Sequence, residues 1–300
     1  VIKASIPEEL LNEIEEKYLK ELDYINELKI QGKEDDAWTL LRSCIKRMRD
    51  SIVPNNKVLA RFYYLEAIWY LEDKEDGANA QKYYTKAIEQ DSDIDTRIFN
   101  AKKRLLEGTC CNVLEVLGEL ETTALLNAYL QICVVLGKTT EANNAFDESI
   151  VEPNHSTYYM MALINIIRHD YTKANEFMDL ALEEVDNSPL YLMMKGVMLY
   201  WNCLPKDIIA KQDLLPVMFE TGVVHIPERK LSGFPEIIEH YNRALHLAEQ
   251  AKNMQLQRLI LTVWIDSLSI SRNFEKEIDE LSDELLKIDP LNPLVITWKY

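Results

Sequence analysis

The chain predicts an all-α protein, a solenoid of antiparallel helix pairs, and three observations carry that prediction. First, a small residue, a bulky one four later and a small one three after that recur just before a turn. The pattern is clearest at Ala80, Tyr84 and Ala87, at Ala142, Phe146 and Ser149, and at Ala174, Met178 and Ala181. Offsets of four and three place all three residues on one helix face, where the small ones admit a neighbouring helix closely. Second, weaker copies begin at Ala37, Cys111, Ile237 and Glu277, so that the starts fall at 37, 80, 111, 142, 174, 237 and 277, with gaps of 43, 31, 31, 32, 63 and 40 residues. A period in the low thirties marks stacked helix pairs. Third, the chain has only eight Gly and ten Pro and lacks alternating apolar runs, which argues against sheet.

The elements follow in order. Leu11, Ile14, Tyr18, Leu22, Ile25 and Leu28 step by three or four and form the apolar stripe of a first helix. Ser5 and Glu8 ahead of it have capping-box spacing. Helix pairs are expected at 8–30 with 34–50, 56–73 with 77–90, 94–107 with 109–120, and 122–136 with 139–151. They continue at 155–168 with 171–184, 189–202 with 235–250, and 254–270 with 274–287. The short gaps between members suit helix hairpins. The pair around Cys111 is degenerate, with charged Glu115 at the bulky place. One pair is interrupted by an insertion at about 202–234, which Pro205, Pro216, Pro227, Gly222 and Gly233 punctuate and in which Lys206–Met218 could add a short helix. The whole of 1–300 reads as one helical-repeat domain. The start at Val1 and the truncated apolar segment after Pro293 suggest a piece of a longer protein.

These residues resemble the tetratricopeptide-repeat family. The best unit is Ser156–Pro189, in which Tyr158 and Ala162 match the large and small places of the family's first helix. Asp170 and Tyr171 match its turn, and Ala174, Met178 and Ala181 match its second helix. Tyr83–Asp93, Gly196 and Leu285–Pro293 match further parts. The resemblance covers about residues 8–292. It implies a right-handed superhelix of about seven units, one carrying the insertion, and a binding role in which first helices line a concave groove.

Composition narrows the partners. A net charge of −17 argues against nucleic acid, which demands a basic stripe. The clusters Arg42, Lys46, Arg47, Arg49 and Lys102, Lys103, Arg104 read as ordinary solvated helix faces. No apolar run approaches the ~18 residues of a membrane span. Five cysteines, an odd number without framework spacing, fit burial in a reducing, cytoplasmic compartment.

The sequence holds no persuasive catalytic or metal-binding constellation. His240 and His246 are six apart, a poor metal pair, and Glu236 with His240 lacks a second histidine. No Gly-rich phosphate loop or serine elbow occurs. No cofactor is called. The resemblance places a protein- or peptide-binding groove on first helices, with Asn100 and Lys103, Asn127 and Gln131, and Tyr159, Met193 and Tyr200 as its residues. Amides offer donor and acceptor together to an extended backbone, and the larger side chains offer apolar pockets. The family's chaperone-tail clamp is absent, since Tyr159 and Leu163 stand where Lys and Asn are required. The expectation is a non-enzymatic scaffold or sensor for a protein segment or peptide. The alternatives are a peptide-pheromone-type regulatory receptor, or the recognition arm of an enzyme whose catalytic domain lies elsewhere.

Overall fold

The computed structural model describes residues 8–51, 55–109, 112–203, 234–269, 274–293, 295 and 296. Ser5, the Cys110–Cys111 pair and nearly all of the 202–234 insertion, with the short helix expected at Lys206–Met218, lie outside them. Among the described residues there are thirteen α-helices, one 3-10 turn and no strand. The helices are α1 (Glu8–Ile30), α2 (Glu34–Arg49), α3 (Asn56–Glu72), α4 (Gly77–Gln90) and α5 (Arg97–Leu106). After the 3-10 turn Leu114–Leu117 come α6 (Thr123–Leu136), α7 (Thr139–Asp147), α8 (His155–Ile167), α9 (Tyr171–Glu184) and α10 (Pro189–Cys203). The last three are α11 (Phe234–Gln250), α12 (Met254–Ser269) and α13 (Glu275–Ile288). No described helix is long and apolar enough to cross a membrane. The chain divides into two compact units, 1–29 with 33–132, and 30–32 with 133–300.

Helix starts are written locally. The side chains of Asn55, Asp76, Asn154 and Asp170 each accept a backbone N–H in the first turn of α3, α4, α8 and α9. Each such cap contributes about 1 kcal/mol by satisfying a donor that the helix itself leaves unpaired. At α8 the cap is reciprocal, because the Asn154 N–H donates to the Thr157 hydroxyl. His169 turns the chain at φ +60° just before the Asp170 cap, which confirms the expected turn between α8 and α9.

In the first unit α2 packs on α3, α3 on α4, and both α3 and α4 meet α5. Ile25 and Leu28 of α1 join Leu41, Cys44, Met48, Phe62 and Trp69 in one core, with Ala37 and Ala87 as its small members. In the second unit α7 packs on α8, α8 on α9, α9 on α10, α10 on α11, α11 on α12 and α12 on α13. Here the repeating pattern does what its spacing requires. Ala142, Ala174, Ala181 and Ala244 are fully buried with Met178 and Tyr241 beside them. Gly196 shows the close approach most directly, because a Cβ added there would sit 3.0 Å from the Tyr241 ring.

Three expectations are corrected. The segment 109–120 holds only the 3-10 turn, since Asn112 (φ +59°) and Gly118 (φ +62°) bracket it in left-handed conformations that end a helix. Val113 and Leu117 still bury themselves there, while Glu115 faces solvent. In α13 the buried face lies one residue on from Glu277, Leu281 and Glu284, and its pattern is bulky-small-bulky. The buried triplet is Ile278, Ser282 and Leu285, because the expected register would have forced two carboxylates into a helix contact. The second helix at 139–151 is shorter, ending at Asp147, so Ser149 lies in the following turn.

Candidate functional site

The residues expected to line a first-helix face fall in both units, and each unit is built differently. In the first unit Asn100 and Lys103 are half-buried on α5. The Asn100 amide donates to the Thr96 hydroxyl at 3.3 Å, and the Lys103 ammonium donates to Gln81 Oε1 at 2.7 Å, with Glu107 3.8 Å away. Asn127 and Gln131 sit half-buried on α6. Gln131 Oε1 accepts a hydrogen bond from Lys102, whose ammonium also reaches Glu72 at 2.5 Å. Glu72 in turn lies 3.8 Å from Lys29, which donates to Asp73 at 2.8 Å and stands 4.6 Å over the Trp69 ring. Burial pushes the Glu72 carboxyl up, but the two ammonium groups outweigh it and hold the group below its ordinary value. The Gln131 acceptor is therefore part of a charged network within the fold.

In the second unit Tyr159 is half-buried and its ring stacks on Tyr191 at 4.7 Å. The Tyr191 hydroxyl is held 2.9 Å from His155 Nδ1, and the His155 backbone N–H donates to Glu184 at 2.7 Å. Burial pushes the Tyr159 phenol up to about 12. Met193 and Tyr200 depart from expectation. They are only 3% and 4% exposed, and both belong to the core that α10 forms with α11 and α12. The wide apolar stripe of α10 supplies that core on both sides, so side chains counted as lining are packed inside it. They offer a partner no accessible surface.

Sequence reasoning missed two buried charges. Glu66, the residue before Ala67 on α3, is 2% exposed, with Arg42 Nε 3.7 Å away. Lys195, the residue before Gly196 on α10, is 5% exposed and donates to Asn175 at 2.6 Å and Asp179 at 2.5 Å. Burial raises the Glu66 carboxyl against the opposing pull of Arg42 and Lys86. Both residues occupy the same place in their hairpin, and both pair with the residue after the bulky position of the preceding helix, Leu41 or Met178. That signal is present in the sequence, since a charge adjoins the small residue in each case.

The second unit also contains an open depression of about 440 Å³ between α7, α8 and α9, bounded by Phe146, Asp147, Met161, Asn165, Arg168 and Phe177 among others. It lies on the Met161–Asn165–Arg168 face of α8, away from Tyr159 and Leu163. Among the described residues no group of three or more acidic, histidine or cysteine side chains is placed to hold a metal ion. Cys44 and Cys133 are buried, and burial raises their thiols to about 11 and about 12.

Two half-buried histidines give a pH prediction. Burial lowers the pKa of His155 and of His240, whose Nδ1 has no hydrogen-bond partner among the described residues. A histidine depressed on folding contributes stability above its ordinary pKa and loses it as pH falls through the lower folded value. The thermal midpoint should therefore drop between pH about 7.5 and about 5.5. His155→Gln combined with His240→Gln should flatten that drop in differential scanning fluorimetry, and parallel curves would contradict the assignment.

The fold and these sites define a class, an all-α protein of stacked, TPR-like helix hairpins. No protein-family model matches the chain, and no curated protein matches it. Among solved structures the chain is similar to the crystal structure of the C-terminal part of a TPR repeat-containing protein from Cytophaga hutchinsonii. The identity is 14% and the TM-score 0.44, over 93% of this chain and 99% of that one.

Proposed function

We propose that this chain is a non-enzymatic, cytoplasmic helical-repeat scaffold that binds a protein segment or peptide on its first-helix faces. The observation that carries this reading is the Tyr159–Tyr191 stack on α8 and α10, with the Tyr191 hydroxyl fixed by His155. An amphipathic aromatic held in place by its neighbours loses little rotamer freedom on binding, which is why such side chains serve as anchors. In the first unit, Asn127 on α6, and Asn100 with Lys103 on α5, offer a polar first-helix face of their own. Net charge of −17 favours a neutral or basic segment over nucleic acid.

The test uses a partner captured by the full chain and then purified. Tyr159→Ala and Asn127→Ala should leave the circular-dichroism spectrum intact, and Tyr159→Ala should weaken binding roughly thirtyfold, an anchor's ~2 kcal/mol. The exposed Lys46 serves as control, and Lys46→Ala should bind like the parent. Parental affinity in both α6 and α8 variants would overturn the reading.

A further inference from the structure

Two hairpins of this chain can be aligned residue for residue by their small positions, Ala67 with Ala80 in α3–α4 and Ala162 with Ala174 in α8–α9. Three residues after each small position the first hairpin carries Tyr70 and Tyr83, whose rings stack at 5.3 Å and 8°. The same places in the second hairpin hold Asn165 and Phe177. One ring of the stack is missing, and the open depression stands there, with both Asn165 and Phe177 in its wall. Asn165 is buried and its amide N–H donates to the Met161 carbonyl at 2.8 Å, so it does not fill the space an aromatic would. Phe177 makes an edge contact to Phe146 at 5.6 Å and lies near-parallel to Tyr158 at 6.5 Å, as Tyr83 meets Tyr63 at 6.3 Å in the first hairpin.

The polar end of the stack is altered in the same way. The Tyr70 hydroxyl accepts a hydrogen bond from Arg42 at 3.3 Å, and Arg42 directly follows bulky Leu41 on α2. The equivalent residue on α7, directly after bulky Phe146, is Asp147, which is exposed at the rim of the depression. An acceptor thus stands where the intact stack has a donor. A phenol that enters the gap can donate to this carboxylate, whereas a phenylalanine has no group to do so, and Arg168, Lys173 and Glu176 also stand in the wall.

We propose that the depression between α7, α8 and α9 receives a tyrosine side chain from an extended partner segment, its ring against Phe177 and its hydroxyl donating to Asp147. The volume of about 440 Å³ accommodates one such ring, and the exposed Asn144 amide at the rim is placed to meet partner backbone. This rests on the reading of the chain as a protein-binding scaffold but uses a face of α8 other than that of Tyr159.

The test is an NMR titration of the full chain with N-acetyl-L-tyrosinamide, its phenylalanine counterpart, and a capped pentapeptide with a central tyrosine. Tyrosinamide should shift resonances of Asn165 and Phe177, and should bind about fivefold more tightly than the phenylalanine probe, the ratio that about 1 kcal/mol for one hydrogen bond gives. Asp147→Ala should remove that preference. Asn165→Tyr supplies the missing ring within the chain, so it should abolish probe binding and raise the thermal midpoint by about 2 °C or more. The pentapeptide should bind more tightly than tyrosinamide, and equal affinity would point to a free small molecule and overturn the partner segment. Shifts absent from the depression, or a lowered midpoint in Asn165→Tyr, would overturn the site. Tyr159→Ala and Asn127→Ala should leave tyrosinamide binding unchanged, so failure of the first-helix reading is distinguishable from failure of this one.

Discussion

Ala174→Arg is expected to destabilise the second unit by about 4 kcal/mol or more, which places it among the most damaging single changes available. Ala174 is fully buried in a core with Ala162, Met178, Ala181, Tyr191 and Met198. A guanidinium at that place has no carboxylate in this core to meet, so it is either left unpaired out of water or it drives α8 and α9 apart. Thermal unfolding followed by circular dichroism should show an early transition displaced by roughly 8 °C or more. Ala174→Ser, which keeps the volume, should lie close to the parent. If the arginine variant melts with the parent, the small-residue register of α9 is wrong.

Tyr241→Ala is expected to cost about 3–5 kcal/mol, as large-to-small changes of buried aromatics do. The ring is fully buried, stacks on Trp264 at 5.6 Å, and lies against Gly196 so closely that a Cβ there would stand 3.0 Å away. Its hydroxyl is 2.9 Å from Ser267 Oγ, and Ser267 donates onward to the Val263 carbonyl at 2.8 Å, so the tyrosine is the donor of that pair. Tyr241→Phe should lose only about 1 kcal/mol, which separates the hydrogen bond from the packing. Gly196→Ala should cost about 1–3 kcal/mol by overpacking the same contact. Urea unfolding of the three variants checks the order alanine at 241, alanine at 196, phenylalanine at 241. An equal effect of the two Tyr241 variants would mean that the ring does not hold α10 to α11.

Helix positions and most of the core were legible in the chain because one physical rule governs both. A hairpin needs small residues where helices meet and a bulky one beside them, and that need is periodic. Ala80, Ala174, Met178 and Tyr241 were found this way, as were the α8–α9 turn and the small place at Gly196. The rule misled where a charge competed with it. In α13 the offsets of four and three fit Glu277, Leu281 and Glu284 as well as Ile278, Ser282 and Leu285, and only the cost of burying carboxylates selects the second set. Around Cys111 the period held while the helix did not, because Asn112 and Gly118 adopt backbone that no helix continues.

The functional residues were less legible. Met193 and Tyr200 carry the side chains of a binding face yet belong to the core, since α10 is covered by both α11 and α12. Gln131 looked like a free amide and instead accepts from Lys102 in a network with Glu72 and Lys29. Burial of Glu66 and Lys195 depends on partners 24 positions back in one case and 16 in the other. By itself the sequence determined the all-α class, the place of most hairpins and the small-residue contacts, because these depend on residues within a turn or two of one another. Which exposed-looking side chains remain accessible, which charges are buried against an exposed partner, and where a ring is missing from a stack were decided by tertiary structure alone. Each of those outcomes is set by what a neighbouring helix, distant in the chain, places against the same face.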